Sequence, residues 1–231
     1  MSTDDISVVL AHGAWADGSS WAKVIDGLRL AGVKSVAVPV PLTSFDDDVA
    51  ALERTLERAG GGPVVLVGHA YAGAVIAGTR SESVKALVYI SALAPDEGET
   101  VADVFYRAEP HPKAPKLAPD GHGLIWLPQE AFAQAFAPHA SVEEQAILAA
   151  VQRPISPACI TRKVGRPLWR DRPSWFLLAE EDRMILAQTQ RFMAERMGAR
   201  ISAHAVDHTP IVTAPGPCVD IILGAVKAAA A

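Results

Sequence analysis

One ten-residue stretch, Val64-Val65-Leu66-Val67-Gly68-His69-Ala70-Tyr71-Ala72-Gly73, constrains the fold more than any other. Its first four residues are apolar and three are β-branched, which predicts a buried strand. From Ala70 to Gly78 the residues are mostly small and apolar, which predicts a helix packed closely on that strand. A strand that turns sharply into a helix, with small residues two before and two after the pivot, has the layout of a nucleophile elbow. The pivot of such a turn stands at the sheet's carboxyl edge, where its side chain can attack a carbonyl while the next backbone N–H holds the oxyanion. The pivot here is Ala70, and a methyl group has no lone pair with which to attack.

The rest of the chain repeats the strand–helix theme. Ile6–Leu10 reads as a buried strand running into the loop His12-Gly13-Ala14-Trp15, with Ser19 or Ser20 capping a helix from Trp21 to Leu30. Val36–Val40 reads as a strand, and Asp46, Asp47 and Asp48 supply the negative charge a helix start favours. That helix carries Val49, Leu52 and Leu56 on one face and ends before Gly60-Gly61-Gly62-Pro63. Val84–Ile90 is a further strand. Later come a strand at 174–178, a helix at 187–197, a strand at 201–206 and a helix at 215–227. Such alternation predicts an α/β fold: a mostly parallel sheet with helices on both faces. Ala228–Ala231 reads as a frayed helix end or a cloning remnant.

The alternation stops between about 95 and 173, where eleven of the seventeen prolines fall. Two helices are predicted there, Pro128–Phe136 and Val142–Gln152, the second opened by a Ser141–Glu144 capping box. This stretch reads as a helical cap inserted over the sheet edge of one domain spanning 1–231. Such a length buries roughly 70% of the unfolded surface, so no disulfide or metal staple is required. Cys159 and Cys218 therefore read as buried reduced thiols. A net charge of −5 and a pI near 5.8 argue against nucleic acid or an anionic membrane as partner. The acidic start of the chain and the lack of an 18-residue apolar run predict a cytoplasmic protein without signal peptide or membrane span. A small molecule is the expected partner, with a homodimer possible.

In parallel sheets, sites lie outside the carboxyl ends of the strands. Three loops there carry unusual polar residues: His12-Gly13-Ala14, Glu180-Glu181-Asp182 and Asp207-His208-Thr209. Acyl transfer needs a nucleophile, a base, an orienting acid and oxyanion donors, and loops that follow strands offer a candidate position for each. His208 is the candidate base and Asp182 its orienting acid, with Glu180, Glu181 and Asp96 as rivals for the acid. Backbone N–H groups of Ala14 and Tyr71 are the candidate oxyanion donors. His12 and His69 read as structural. Trp15, Phe105 and Trp126 are the candidate substrate-binding residues, and Trp21, Phe132 and Trp169 further pocket aromatics. His111, His122, His139 and His204 lack metal-ligand spacing, so no metal and no cofactor are expected.

With these residues in view, the chain resembles, over its whole length, the α/β-hydrolase fold family. It is most similar to the small branch of plant methylesterases, hydroxynitrile lyases and bacterial esterases. The resemblance rests on His12-Gly13-Ala14-Trp15, the Gly68–Gly73 elbow, Ala179-Glu180-Glu181-Asp182-Arg183-Met184-Ile185, and Asp207-His208-Thr209-Pro210. It implies Ala70 at the nucleophile position, Asp182 as acid, His208 as base, and Ala14 and Tyr71 as oxyanion donors. The family's elbow reads Gly-x-Ser-x-Gly; this chain departs from it with Ala70 and Ala72. The implied activity is ester hydrolysis by a Ser-His-Asp type mechanism, with Ala70 an inactivating replacement of the serine; the candidate pocket aromatics point to a small apolar or aromatic ester, amide or lactone as substrate. Two alternatives remain open: an enzyme that works without a nucleophile, as cofactor-free lyases or oxygenases of this fold do, and a non-catalytic ligand-binding protein.

Overall fold

The computed structural model describes residues 5–231; the reading of the N-terminus rests largely on residues 1–4, which lie outside them. Six parallel strands form one sheet: β1 Ser7–Ala11, β2 Lys34–Val38, β3 Val64–His69, β4 Val84–Ile90, β5 Ser174–Ala179 and β6 Arg200–His204. Their spatial order is β2-β1-β3-β4-β5-β6. β3 and β5 are buried at every residue, as unbroken apolar runs covered on both faces must be, whereas the edge strands β2 and β6 are largely uncovered.

The helices are α1 Ala22–Leu30, α2 Phe45–Arg58, α3 Ala72–Gly78, α4 Val101–Phe105, α5 Gln129–Ala131, α6 Val142–Val151, α7 Ala187–Arg196, α8 Pro210–Thr213 and α9 Pro215–Ala230. The strand order reverses after β2, so right-handed crossovers put α1 on one face of the sheet and α2 and α3 on the other. α9 packs on α1 and on the central strands, and α2 packs on α3. The reversal leaves a crevice at the carboxyl ends of β1 and β3, the switch point where open α/β sheets hold their ligands.

Local chemistry moves several element ends. Asp17, not a serine, caps the turn before α1: its Oδ1 accepts the Ser19 N–H at 2.8 Å, and a 3₁₀ turn at Gly18–Trp21 precedes the helix. Ser44 caps α2. Helix α3 starts at Ala72, not Ala70, because Ala70 is held in the left-handed region at φ +51°. The Ser141–Glu144 capping box opens α6 as its spacing predicts. Helices α4 and α8 are additions; α4 is opened by a Thr100–Asp103 capping box. Helix α9 runs through Ala228 to Ala230.

Residues 95–173 contribute no strand to the sheet. They carry α4, α5, α6 and a π-helical turn at Phe132–Phe136, joined by isolated antiparallel bridges such as Ile125 with Ile155. Cys159 and Cys218 are buried free thiols. Among the described residues no helix is long and apolar enough to cross a membrane.

Candidate active site

The turn after β3 is built by close backbone approach. A Cβ on Gly68 would lie 2.7 Å from the Ala72 carbonyl oxygen, and one on Gly73 would strike the Leu93 carbonyl oxygen and lie 2.9 Å from the Ala92 Cβ. Only glycine fits these two positions. The Leu93 N–H donates to the Ala70 carbonyl at 2.9 Å, locking the pivot to the end of β4. The loop after β1 meets the pivot: a Cβ on Gly13 would lie 2.8 Å from the Ala70 Cβ and 3.3 Å from the Tyr71 nitrogen. The N–H groups of Ala14 and Tyr71 thus come from adjacent turns. Neither donates to a protein acceptor among the described residues.

Among the described residues four non-glycine residues have positive φ: Trp15 (57°), Leu42 (62°), Ala70 (51°) and Ser91 (45°). Each follows the carboxyl end of a different strand, β1 to β4. Such conformations cost of order 1 kcal/mol or more each, and here they gather along one edge of the sheet.

Asp182 follows β5 and His208 follows β6. The Asp182 Oδ2 pairs with His208 Nδ1 at 2.8 Å, and both residues are buried, at 3% and 2% exposure. The carboxylate is saturated: Oδ1 accepts the N–H groups of Met184 (2.7 Å) and Ile185 (2.8 Å), and Oδ2 also accepts Gln190 Nε2 (2.9 Å). Gln190 is wholly buried and is itself fixed, its Oε1 accepting the Ala179 N–H at 3.0 Å and its Nε2 donating to the Ile185 carbonyl at 2.7 Å. With Nδ1 engaged, Nε2 is the free nitrogen of the His208 ring.

His69 supports the same loop from beneath, its Nε2 donating to the His208 carbonyl at 2.7 Å with ring centroids 5.1 Å apart. Burial first, then the neighbouring His208, pushes the His69 pKa down to about 3, so its ring stays neutral. His12 Nδ1 lies 3.0 Å from the Gly13 carbonyl, and burial pushes its pKa down to about 4. Asp207 is buried too and joins the loop to the segment above: its carboxylate accepts the His139 N–H (2.9 Å) and the Thr213 hydroxyl (2.7 Å). Thr209 Oγ1 donates to the Phe136 carbonyl at 2.6 Å.

Ala70, Tyr71, Ala14 and His208 open onto one cavity of about 600 Å³ of atom-free space, its mouth included. Trp15 and Phe105 line it, with Val101, Leu117, Ile125, Ile155, Met184 and Ile185 supplying most of the remaining wall. Trp126 does not. It lies in an extended run whose neighbours Ile125 and Leu127 are buried, so alternation turns its own ring outward, 46% exposed and bonded to Asp120. Trp21, Phe132 and Trp169 are buried in the core and also lie away from the cavity. The rival acids are committed elsewhere: Asp96 to Arg170 at 2.7 Å and Glu181 to His139 at 3.0 Å, while Glu180 is exposed.

Two buried polar residues bonded directly to Asp182 or Tyr71 escape a reading of the sequence. Gln190 is one, although it stands on the apolar face of α7 with Met193 and Ala194, an unusual place for an amide. Asp48 is the other. It falls on the Leu52–Leu56 stripe of α2 at zero exposure, accepting the Tyr71 hydroxyl and the Leu42 N–H, both at 2.7 Å. Burial raises the pKa of Asp48 and of Tyr71. Among the described residues no group of three or more His, Cys, Asp or Glu side chains is placed to hold a metal ion.

A family model described as the alpha/beta hydrolase family matches residues 8–221. The chain belongs to that family. No curated protein matches it by sequence. Solved structures match it in fold. The pyrethroid hydrolase of Sphingobium faniae JZ-2 is 20% identical with a TM-score of 0.80, over 97% of this chain and 99% of that one. Polyneuridine aldehyde esterase is 19% identical with a TM-score of 0.77, over 95% and 98%. A methylesterase from Arabidopsis is 17% identical with a TM-score of 0.78, over 96% and 99%. At these identities the likeness is one of fold.

Proposed function

We propose that this chain has the architecture of a carboxylic ester hydrolase of the Ser-His-Asp type, shaped for a small apolar or aromatic ester, amide or lactone, with Ala70 where the mechanism needs a hydroxyl. One observation carries the reading: Ala70 keeps the left-handed pivot conformation and shares a cavity with His208, whose ring is held by a fully bonded, buried Asp182. With a hydroxyl at position 70, His208 Nε2 would take its proton as the oxygen attacks the acyl carbon, and Asp182 would stabilise the imidazolium. The oxyanion would accept hydrogen bonds from the Ala14 and Tyr71 N–H groups, and water would then release the acid. Three neighbours in structure are named an esterase, a hydrolase and a methylesterase, which supports an ester as the bond attacked.

As it stands the chain forms no acyl-enzyme, because the Ala70 methyl offers no nucleophile. Loss of such a hydroxyl costs on the order of 10⁶ in turnover while leaving the pocket in place. The Ala70→Ser variant is therefore expected to hydrolyse p-nitrophenyl acetate at least about 10³-fold faster than the present chain; no gain refutes the reading.

The intact Asp182–His208 pair favours one second reading, in which His208 activates water or removes a substrate proton without a nucleophile. That reading requires turnover by the present chain which His208→Ala abolishes. Ligand retention without turnover in either form is the outcome expected of a binding protein.

A further inference from the structure

The apolar cavity has a neighbour. A second chamber, about 1050 Å³ of atom-free space with its mouth included, adjoins it, and the two share Phe105, Tyr106, Leu117 and Met184 as a common wall. Their chemistry differs. The first offers a ligand almost nothing polar beyond His208 and the backbone of the elbow, whereas the second adds Glu109, Lys116 and Thr189. Glu109 and Lys116 are exposed and of opposite charge, so the chamber favours neither an anion nor a cation.

Thr189 is the distinctive group. It stands in the first turn of α7 at 3% exposure, yet its Oγ1 has no hydrogen-bond partner among the described residues. Nor is that oxygen among the unpaired polar atoms sealed inside the protein, such as Ser91 Oγ and Tyr89 Oη. It therefore reaches accessible space, and Thr189 lines the second chamber. A buried hydroxyl with its bonding capacity unspent favours whatever completes it, and in a mostly apolar chamber a neutral oxygen does so without a desolvated charge.

We propose that one ligand spans both chambers: an aromatic or branched apolar acyl group beside Ala70 and His208, joined to an alcohol or amine portion that passes the Phe105–Leu117 wall and ends in a neutral oxygen at Thr189. This rests on the reading of the first cavity as an acyl site, and it narrows the substrate class to esters or amides with an extended, hydroxyl- or ether-ended second half.

The test uses the chain as it exists, whose missing nucleophile makes equilibrium binding measurable. Three phenylacetamides are titrated by calorimetry: N-methyl, N-hexyl, and N-[2-(2-hydroxyethoxy)ethyl], the last two of equal length. The hydroxyl-ended amide is expected to bind about tenfold more tightly than N-methyl, and more tightly than N-hexyl. Thr189→Val, which keeps the side chain's shape, should lower the hydroxyl-ended to N-hexyl affinity ratio about three- to tenfold. Ala114→Trp, which fills the second chamber alone, should remove the advantage of both long amides. Equal binding of all three, binding of none, or ratios unmoved by both variants overturns the proposal. Amide binding does not depend on hydrolysis: if Ala70→Ser gains no esterase activity while the ratios behave as stated, the catalytic reading falls and the two-chamber ligand stands.

Discussion

At the scale of single residues, the site is defined by what each polar group has already spent. Asp182 has every favourable direction filled by Met184, Ile185, Gln190 and His208. A carboxylate so held cannot turn away from the ring. Asp182→Asn would place its NH2 either against both His208 Nδ1 and the donor Gln190 Nε2 or against the Met184 and Ile185 N–H groups, so donors meet donors or the ring takes the wrong tautomer. In the Ala70→Ser background this change is expected to lower kcat by about 10³–10⁴ with little effect on KM, read from initial rates. Gln190→Leu leaves the Ala179 N–H and one Asp182 lone pair unpaired in the core. It should cost about 1–3 kcal/mol of stability by urea unfolding. Asp182 and His208 are legible in the sequence because each follows a strand and leads a loop, where a titratable residue has few structural excuses. Gln190 and Asp48 are not, because polar residues on helices are normally solvated and only the apolar stripe they interrupt gives them away.

At the scale of elements, glycine separates what is held by contact from what is held by propensity. Gly73 and Gly224 both lie within helices. A methyl on Gly73 has the Leu93 carbonyl in its path, the same Leu93 whose N–H ties down the Ala70 carbonyl. A methyl on Gly224, inside α9, meets nothing within 4 Å. Gly73→Ala is expected to destabilise the protein by about 1–3 kcal/mol and loosen the elbow. Gly224→Ala should stabilise it by about 0.5–1 kcal/mol through helix propensity alone. Thermal unfolding of the two variants checks the signs. The elements themselves are readable wherever an apolar run is bounded by turn residues, as in β3, β4 and β5. Between 95 and 173 no period guides the eye. There the chain's path is set by isolated long-range bonds such as Ser156 N–H to the Leu42 carbonyl and by bridges such as Ile125 with Ile155, which span long loops. Whether a tryptophan there faces the cavity depends on that path, which is why Trp15, anchored through Nε1 to Ile125, lines it and Trp126 does not.

At the scale of the whole molecule, two neutral histidines buried under the sheet edge make stability depend on pH. Burial holds His12 near pKa 4 and His69 near 3, below the value of 6.5 each takes when unfolded. Below about pH 6.5 the unfolded chain therefore binds protons that the native protein refuses. Stability present above that pH is lost as pH falls toward the native values, by up to about 1.4 kcal/mol per pH unit for each ring. The urea midpoint is expected to fall steadily between pH 7 and pH 5; a flat profile there contradicts the neutral, buried assignment. The same edge carries four strained turns, the unspent N–H groups and the aligned imidazole, and all of these persist around a methyl group. Intact-mass measurement after brief exposure to p-nitrophenyl acetate asks directly whether that arrangement still serves acyl transfer. The account predicts a single acetyl group on the Ala70→Ser protein and none on the chain as it stands; no acetyl on the variant, or equal acetylation of both, contradicts it.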